Sequence, residues 1–224
     1  MSAATVLLSG GLDSTVLLHH VARTAGHAPL HVLSFDYGQK HRRELEMARW
    51  QAGQVREVKE HQVVDLAFFG GLVNAASALL CGGPAIPDLA GLTAQARQQP
   101  PTYVPNRNMI LLAIAAAFAE ARQCSVVFYG AQLQDQYGYW DCTPEFVGKI
   151  NEVLGLNRGH AVRIEAPFTG KRKAEVVRLG LDLGVDFAHT WSCYRGEGSP
   201  CRTCPTCVER SRAFAEVRVA DPLG

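Results

Sequence analysis

A string of six residues near the N-terminus, Ser-Gly-Gly-Leu-Asp-Ser at positions 9–14, constrains the possible folds more than any other feature of this sequence. It follows an apolar run at residues 5–8 that predicts a buried strand, and it precedes a pattern that predicts a helix over residues 14–23. Two glycines at such a junction permit a tight turn, in which backbone N–H groups and the helix N-terminus converge on an anion. The string therefore predicts a phosphate-binding loop within a strand–loop–helix unit.

The aspartate inside this string indicates that a cation accompanies the phosphate. A carboxylate beside a phosphate is repulsive unless a metal ion bridges the two, so Asp13 predicts Mg²⁺. Ser9 and Ser14 add hydroxyl donors, and the pattern of a Walker A loop is absent. A simple strand-to-helix turn with a serine or aspartate cap is the alternative interpretation. We assign nucleotide binding to eight successive residues: Leu8, Ser9, Gly10, Gly11, Leu12, Asp13, Ser14 and Thr15.

Short apolar runs alternate with helical patterns along the rest of the chain. Further strands are predicted at residues 30–35, 55–59, 125–129 and 162–166, and further helices at 41–53, 108–122, 144–154, 173–183 and 207–217. This alternation is typical of an α/β fold in which a mostly parallel, doubly wound sheet is covered by helices on both faces. Residues 81–101, rich in proline and glycine, predict a long loop, and loops of that length are usually functional or disordered.

Four of the seven cysteines lie close together near the C-terminus, in the pattern C-x7-C-x2-C-x2-C. Two-residue gaps allow neighbouring thiolates to converge on one ion, and four thiolates suit tetrahedral Zn²⁺. In a reducing compartment such a cluster is more often a metal site than a set of disulfides. The alternatives are an iron–sulfur cluster and unconnected thiols. Since four protein ligands leave no position for a catalytic water, we predict one structural zinc ion bound by Cys193, Cys201, Cys204 and Cys207.

The charge and hydropathy of the chain disfavour several classes of protein. A net charge of +1 is small for a protein that grips a folded RNA, because neutralising phosphates requires a large basic excess. We therefore expect a small-molecule substrate and no nucleic-acid partner. No apolar run reaches the roughly 20 residues of a membrane span, and no basic region precedes an apolar stretch at the N-terminus. We expect a cytoplasmic protein with no membrane partner.

Further strings extend the interpretation from a loop to a family. They are Phe-Asp-Tyr-Gly-Gln-Lys-His at 35–41, Tyr-Val-Pro-Asn-Arg-Asn at 103–108, Lys-Ala-Glu at 173–175 and Thr-Trp-Ser-Cys-Tyr at 190–194. The loop at 9–14 matches the PP-loop of ATP pyrophosphatases, which cleave ATP between the α and β phosphates. Together with the spacing of the four clustered cysteines, these strings resemble the QueC family of 7-cyano-7-deazaguanine (preQ0) synthases, from about Thr5 to Phe214.

The resemblance implies an adenine nucleotide alpha hydrolase-like PP-loop domain over residues 1–188, with a zinc-binding segment and C-terminal helix at 189–224 packed on the same domain. It also implies a reaction. ATP adenylates 7-carboxy-7-deazaguanine, and ammonia displaces AMP to give the amide. A second ATP activates the amide, and loss of AMP leaves the nitrile, preQ0. A homodimer is expected by resemblance only.

The matching strings also imply roles for individual residues. Asp13, Ser14 and Lys173 are expected to act in catalysis, while Asp36 and Arg107 join the loop in binding ATP. The residues expected to contact the deazaguanine are Tyr37, Gln39, Arg107, Asp135, Trp140, Asp141 and Lys173. Two of them, Asp135 and Asp141, would recognise the N–H groups of its guanine-like edge. A purely structural role, in packing, in a turn, at a helix start or on a solvated face, is the alternative for Tyr37, Asp141, Arg107 and Lys173.

The chain departs from the family pattern in the stretch that follows the predicted strand at 125–129. Gln132, Tyr137, Trp140 and Thr143 stand where the family usually has Asn, Ser, Pro and Arg, and Asn106 stands where Gly is common. Losing the arginine removes a planar cationic fork that threonine cannot imitate, while the new aromatic rings could stack on a base or line a partner contact. We therefore expect ATP activation of a carboxylate, and we expect the altered stretch to bear on substrate choice and product.

Three alternatives stay open from the sequence. A diverged QueC-like paralogue of an antiviral, CBASS-type operon would pass the activated deazaguanine to an amine on a partner protein instead of to ammonia. A tRNA-thiolating PP-loop enzyme would need a persulfide-handling cysteine and a basic RNA surface, which the charge balance disfavours. A non-catalytic zinc-dependent interaction module would leave the intact loop at 9–14 without a purpose.

Overall fold

The computed structural model describes residues 2–93, 99–196 and 198–224, except for the side chains of Gln136 and Tyr137. The strands of these residues are β1 (Ala4–Leu7), β2 (Leu30–Asp36), β3 (Val58–Asp65), β4 (Val126–Phe128) and β5 (Arg163–Glu165). They form one sheet in the order β3-β2-β1-β4-β5, and every neighbouring pair is parallel. The predicted parallel sheet is confirmed.

The connections between the strands are largely helical. The helices of the described residues are α1 (Leu12–Arg23), α2 (Glu44–Gln54), α3 (Ala67–Val73), α4 (Arg107–Ala121), α5 (Pro144–Leu154), α6 (Lys173–Asp182) and α7 (Pro205–Glu216). Short 3-10 turns lie at Asn74–Ala76, Leu89–Gly91, Leu133–Tyr137, Trp140–Cys142 and Phe187–His189. In the described residues no helix is both long enough and apolar enough to cross a membrane.

Helices cover both faces of the sheet and enclose two apolar clusters. One cluster lies between the sheet and α1, α2, α6 and α7, and contains the fully buried side chains of Leu17, Val176 and Phe214. The other lies between the sheet, α4 and α5, and contains Leu112 and Ile164. Burial of apolar side chains on both faces is the arrangement that stabilises parallel sheets. The fold is therefore doubly wound, as the alternating pattern predicted.

The direction of strand addition reverses at β1. From β1 the chain adds β2 and β3 on one side, then crosses over and adds β4 and β5 on the other. The segments that leave β1 and β4 diverge, and the crevice between such segments, at the carboxyl ends of the strands, is where open α/β sheets bind ligands. The loop at residues 9–14 leaves β1 and so lies at this crevice.

A buried arginine that the sequence patterns did not reveal holds the segment after α6 together. Arg210 of α7 is 4% exposed, and its guanidinium donates to both carboxylate oxygens of Asp221 and to the hydroxyl of Thr190 at 2.7 Å. One residue beyond Thr190, the N–H of Trp191 donates to the carbonyl oxygen of Gly10 at 2.9 Å. The C-terminal segment therefore contacts the phosphate loop directly.

The third strand and the helix after it differ from the prediction. A strand was predicted at residues 55–59, but Val55 ends α2 and β3 runs over Val58–Asp65. β3 is an edge strand rich in polar side chains, so no apolar run marks it. α3 was not predicted, because this seven-residue helix contains Gly70 and Gly71 and therefore has a weak helical signal.

The loop predicted at residues 81–101 is confirmed in its described part, 81–93 and 99–101. This part contains one 3-10 turn, at Leu89–Gly91, and no strand or α-helix. The last helix begins at Pro205, two residues earlier than predicted, because proline fits the first turn of a helix, where its missing N–H costs no hydrogen bond.

Candidate active site

A cavity of about 1010 Å³ opens at the carboxyl ends of β1, β2 and β4. The ends of these strands, the loop after β1, the starts of α4 and α6 and the first turns of α7 form its wall. It therefore lies at the switch point of the sheet, where a ligand is expected. Four of the predicted substrate-binding residues line it, namely Tyr37, Arg107, Asp135 and Lys173.

The two serines of the loop between β1 and α1 hold its shape. The Ser14 hydroxyl accepts a hydrogen bond from the N–H of Ser9 at 3.1 Å and lies 3.0 Å from the Ser9 hydroxyl. The Ser9 hydroxyl in turn accepts from the N–H of Gly11 at 3.1 Å. Both serines line the cavity, as do Leu8, Gly11, Leu12 and Asp13. The loop thus presents hydroxyl groups and the N-terminal end of α1 to the cavity, an arrangement that favours an anion.

Two glycines allow neighbouring elements to pack closely on this loop. Gly10 has a φ of +86°, and a Cβ there would lie 1.9 Å from the carbonyl oxygen of Glu44 in α2. A Cβ on Gly130, directly after β4, would lie 3.2 Å from the nitrogen of Ser14. Gly10 therefore faces α2, and Thr15 is fully buried beneath the loop. Gly10 and Thr15, two of the eight predicted nucleotide-binding residues, do not line the cavity.

Lys173, the first residue of α6, lies at the centre of a charged part of the wall. Its Nζ is 3.4 Å from Oδ2 of Asp13 and 3.3 Å from Oε2 of Glu209. Burial alone lowers the pKa of Lys173, but the carboxylates of Asp13, Glu209 and Asp135 outweigh burial and the pKa lies above its ordinary value. Burial raises the pKa of Asp13, and its Oδ1 has no hydrogen-bond partner among the described residues. Lys173 is therefore charged at neutral pH and within reach of a phosphate at the loop.

A second part of the wall is aromatic and contains one arginine. Arg107 donates to the Tyr37 hydroxyl at 3.3 Å, and its guanidinium carbon lies 5.8 Å from the centroid of that ring. Tyr139 and Tyr194 line the same cavity. Burial raises the pKa of Tyr139 to about 12, so its phenol stays neutral near pH 7. Aromatic faces with one cation suit a flat polar ring that carries an acidic group.

Four of the predicted contact residues lie outside the cavity lining, namely Asp36, Gln39, Trp140 and Asp141. Gln39 is fully buried; its side chain accepts from the N–H of Tyr37 at 2.8 Å and donates to the carbonyl oxygen of Phe35 at 3.0 Å. It therefore shapes the turn after β2. Asp36 forms an ion pair with Arg42 and faces a separate, smaller cavity.

The other two of these residues hold the start of α4. Asp141 is 2% exposed and accepts a hydrogen bond from the N–H of Asn108 at 3.2 Å. Trp140 is 47% exposed; its Nε1 donates to the Tyr103 hydroxyl at 2.9 Å, and its ring packs edge-on against Phe146. These contacts favour a structural role for both residues over the predicted contact with a deazaguanine.

The remaining departures from the family pattern also lie outside the cavity lining. Gln132 is fully buried, and its N–H donates to Oδ2 of Asp135 at 3.1 Å. Thr143 caps α5 by accepting a backbone N–H at 3.1 Å. Asn106 takes a left-handed conformation with φ of 54° before α4. The side chain of Tyr137 lies outside the described part of the chain. None of the departures that the structure describes lines the cavity, although Gln132 bonds Asp135, which does.

The four clustered cysteines come together as predicted. Their Sγ atoms all lie within 4.8 Å of one another, and those of Cys201 and Cys207 are 4.0 Å apart. Zn–S bonds of about 2.3 Å in a tetrahedron place the sulfur atoms about 3.8 Å from each other. The N–H of Cys201 donates to Sγ of Cys193, and the N–H of Cys204 donates to Sγ of Cys201. The donor set and its spacing fit a zinc ion.

Three acidic residues of the cavity wall were not predicted from the sequence, namely Glu44, Asp88 and Glu209. Glu44 stands three positions after His41, which ends the string at 35–41, so a longer string would have included it. Glu209 follows the last clustered cysteine by two positions. Nothing in the local pattern distinguishes it from Glu216 on the same helix, because its contact with Lys173 joins distant parts of the chain.

A doubly wound parallel sheet with a Ser-Gly-Gly loop at its switch point defines a PP-loop ATP pyrophosphatase-like α/β protein. The sequence model of one family, described as "QueC: Queuosine biosynthesis protein QueC", matches residues 3–218. The chain belongs to the QueC family, as the strings at 35–41 and 190–194 predicted.

The family assignment agrees with individual relatives. The chain is 40% identical to a 7-cyano-7-deazaguanine synthase of Caldicellulosiruptor saccharolyticus, over 98% of this chain and 94% of that protein. It is 43% identical to a 7-cyano-7-deazaguanine synthase of Chromohalobacter salexigens, over 98% of this chain and 84% of that protein. Among solved structures, NMN synthetase from Francisella tularensis superimposes with a TM-score of 0.51 at 15% identity, covering 97% of this chain and 77% of that one. This last likeness supports the fold alone.

Proposed function

We propose that this protein is an ATP-dependent ligase that converts 7-carboxy-7-deazaguanine to 7-cyano-7-deazaguanine, releasing AMP and pyrophosphate. The observation that carries the proposal is the placement of the PP-loop and Lys173 on one cavity at the switch point of the sheet. The substrate follows from the relatives that bear the name 7-cyano-7-deazaguanine synthase. The test is product analysis of the purified protein with the deazaguanine, ATP and ammonia.

The loop after β1 would bind the phosphates of ATP. The N–H groups at the start of α1 and the hydroxyls of Ser9 and Ser14 face the cavity and would hold the β and γ phosphates. Lys173 would bind the α phosphate, where charge accumulates in the reaction. Leu8 and Leu12 contribute the apolar surface of the loop.

Activation of the carboxylate needs its oxygen to attack the α phosphorus while pyrophosphate leaves. A carboxylate resists direct attack by ammonia because its oxygen is a poor leaving group, whereas AMP leaves readily. Ammonia then attacks the carbonyl carbon, and AMP and a proton depart to give the amide. The amide oxygen attacks the α phosphorus of a second ATP while pyrophosphate leaves, and loss of AMP and of both N–H protons forms the nitrile. Arg107 and Tyr37 would orient the deazaguanine, because they form one hydrogen-bonded wall of the cavity.

The residues present fit the two metal ions that the resemblance implies. The buried Oδ1 of Asp13 lacks a partner, so this carboxylate would hold Mg²⁺ beside the phosphates, and the ion would offset negative charge there. The four cysteine sulfur atoms would hold Zn²⁺. Zinc bound by four thiolates supplies structure and no open coordination position, so its effect on the site would come through α7.

The departures at Gln132, Trp140, Thr143 and Asn106 lie outside the cavity lining, which supports the nitrile synthase over the antiviral paralogue with a protein acceptor. The exposed Trp140 is the feature that such a paralogue would use for partner contact. A cytoplasmic location, a homodimer and the division of the chain into 1–188 and 189–224 stay predictions.

Glu209 is expected to act as a positioning residue for Lys173. Its carboxylate, on the helix that carries Cys207, is one of two anions on the ammonium group. Glu209→Gln should lower kcat/KM for ATP about tenfold, the usual size for a partly exposed charged hydrogen bond. The effect should appear mainly in kcat, because Lys173 acts on the reacting phosphate. Steady-state AMP release at varied ATP measures it.

Glu216 provides the control, since it lies on the same helix and pairs with Arg172 at the surface. Glu216→Gln should leave kcat and KM within twofold of the unaltered protein, and Glu209→Asp should recover part of the lost rate. Equal losses in the Glu209→Gln and Glu216→Gln variants would show that α7 acts only through stability.

A further inference from the structure

The cavity wall contains five carboxylates, Asp13, Glu44, Asp88, Asp135 and Glu209, and four of them are already engaged. Asp13 and Glu209 share the ammonium group of Lys173. Asp88 accepts from the guanidinium of Arg195 at 2.6 Å. Three of the five are therefore neutralised by cations of this chain, and binding a ligand donor would require them to give up a salt bridge.

Asp135 is engaged in a different way. Its Oδ2 accepts from the N–H of Gln132 at 3.1 Å, and its Oδ1 accepts from the side-chain amide of the same residue at 3.3 Å. Both oxygens therefore close the turn after β4 as part of a capping box. Asp141, the other residue that the sequence predicted to recognise a guanine-like edge, holds the start of α4 and does not line the cavity.

Glu44 is the exception. Its side chain is 9% exposed, and the part of the chain that the structure describes brings no lysine or arginine nitrogen within 4.0 Å of its carboxylate. Oε1 accepts from the Gln39 amide at 3.2 Å and lies 3.4 Å from Nε2 of His41. Burial lowers the pKa of His41 to about 3, so that ring is neutral. Oε2 of Glu44 accepts no hydrogen bond among the described residues. It is also not one of the fully buried side-chain atoms that lack a partner, so this oxygen is accessible.

Arg107 lines the same cavity and favours the charged form of Glu44 from beyond contact distance. A buried carboxylate without a cation in direct contact is destabilising unless a ligand supplies donors. Burial raises the pKa of Glu44 to about 8, so the side chain is largely protonated at neutral pH until the donors of a ligand stabilise its charged form. Buried side chains whose surroundings disfavour their charged form are typical of binding sites. Fixed on one oxygen by Gln39, the carboxylate can offer its remaining acceptor positions to two adjacent N–H groups.

The surroundings of Glu44 match a flat heterocycle. Tyr37 and Tyr194 line the same cavity, and the Tyr194 ring packs on His41 with centroids 5.4 Å apart. The backbone of Glu44 lies directly against Gly10 of the phosphate loop. A base whose edge meets Glu44 would therefore lie beside the loop, and an aromatic face would be available for stacking.

We propose that Glu44 recognises the guanine-type edge of the substrate by accepting hydrogen bonds from its ring N–H and its exocyclic amino group. This assignment rests on the proposed function for the identity of the base. A guanine-type edge presents two neighbouring donors, whereas adenine presents only the exocyclic amino group beside a ring acceptor. A carboxylate accepts both donors of the former and repels the ring acceptor of the latter. Glu44 thus distinguishes the base to be activated from the base of ATP.

Calorimetric binding tests the assignment with two ligands, 7-carboxy-7-deazaguanine and its analogue without the 2-amino group. The analogue should bind the unaltered protein about 30-fold more weakly, since it leaves a buried acceptor without its donor. Glu44→Gln should weaken binding of the full base by about the same factor, and removing the 2-amino group should then cost less than threefold. KM for ATP should stay unchanged, and the melting temperature should not fall, because burial disfavours ionisation of Glu44 and its charged form is not a source of stability.

Glu46→Gln is the matched control, since Glu46 is exposed on the same helix and faces the smaller cavity. It should leave both affinities unchanged. A raised KM for ATP with normal binding of the deazaguanine in the Glu44→Gln variant would overturn the assignment and place adenine at Glu44. The assignment would also be overturned if removing the 2-amino group weakened binding by the same factor in the unaltered protein and in the Glu44→Gln variant.

The same experiment separates this assignment from the proposed function. Binding of the deazaguanine that depends on Glu44, without release of AMP, would support the assignment and contradict the ligase reaction. AMP release, together with deazaguanine binding that Glu44→Gln does not change, would support the ligase reaction and contradict the assignment. Absence of any binding of guanine-type bases by the unaltered protein would contradict both.

Discussion

Asp13→Asn is expected to reduce AMP release about a hundred- to a thousandfold, the range found when one charge-stabilising group is lost from an active site. The substitution keeps the size of the side chain and removes its charge. Lys173 would lose one of its two anionic partners, and the cavity would lose the carboxylate that we propose for Mg²⁺. Burial raises the pKa of Asp13, so its ionised form is not a source of stability, and the fold should persist.

The measurement is steady-state AMP release at saturating ATP and Mg²⁺, together with the melting temperature. Asp182→Asn, at the exposed end of α6, is the control and should behave as the unaltered protein. Turnover of the Asp13→Asn variant within about threefold of normal would contradict the proposed role of Asp13 in holding Mg²⁺ beside the phosphates. A large drop in melting temperature would instead mark Asp13 as a structural residue.

Cys204→Ser is expected to remove the bound zinc and to lower the stability of the whole chain. A structural zinc site contributes folding free energy outright. Losing several kcal/mol would lower the melting temperature on the order of 10 °C for a chain of this length. The cysteine cluster forms part of the apolar core beside α4, and α7 carries Glu209 into the cavity, so AMP release should fall as well.

Metal content by mass spectrometry and thermal unfolding check this result. Cys81→Ser is the matched control, because Cys81 is exposed and lies outside the cluster. It should keep one zinc per chain and the normal melting temperature. A Cys204→Ser protein that is free of metal yet as stable as the unaltered chain would contradict a structural role for the ion.

The sheet could be predicted because its interior strands carry continuous apolar runs and its helices begin at recognisable signals. β2 and β4 are buried strands of this kind, and the turn after β1 is marked by its glycines. β3 could not be placed correctly, because an edge strand lacks the apolar run and its position depends on pairing with β2. α3 could not be predicted because its two glycines weaken the local helical pattern.

The site could be predicted only where its residues are close together in the sequence. The loop at 9–14 and the four cysteines are local motifs, and the structure places them as expected, apart from Gly10 and Thr15, which face away from the cavity. The side chains of Gln39, Trp140 and Asp141 form hydrogen bonds within the chain and lie outside the cavity lining, and a motif does not reveal which way a side chain points. Glu209 emerged only from the folded arrangement, because its contact with Lys173 joins distant parts of the chain.

Release of AMP from ATP in the presence of 7-carboxy-7-deazaguanine is the most direct test of the central claim. Purified protein with Mg²⁺, ammonia, ATP and the deazaguanine should release two AMP and two pyrophosphate for each molecule of 7-cyano-7-deazaguanine, with the amide as an intermediate by mass spectrometry. Omitting the deazaguanine should stop AMP release. No AMP above that background would contradict the account, and AMP release that ends at the amide or at a protein conjugate would contradict nitrile synthesis.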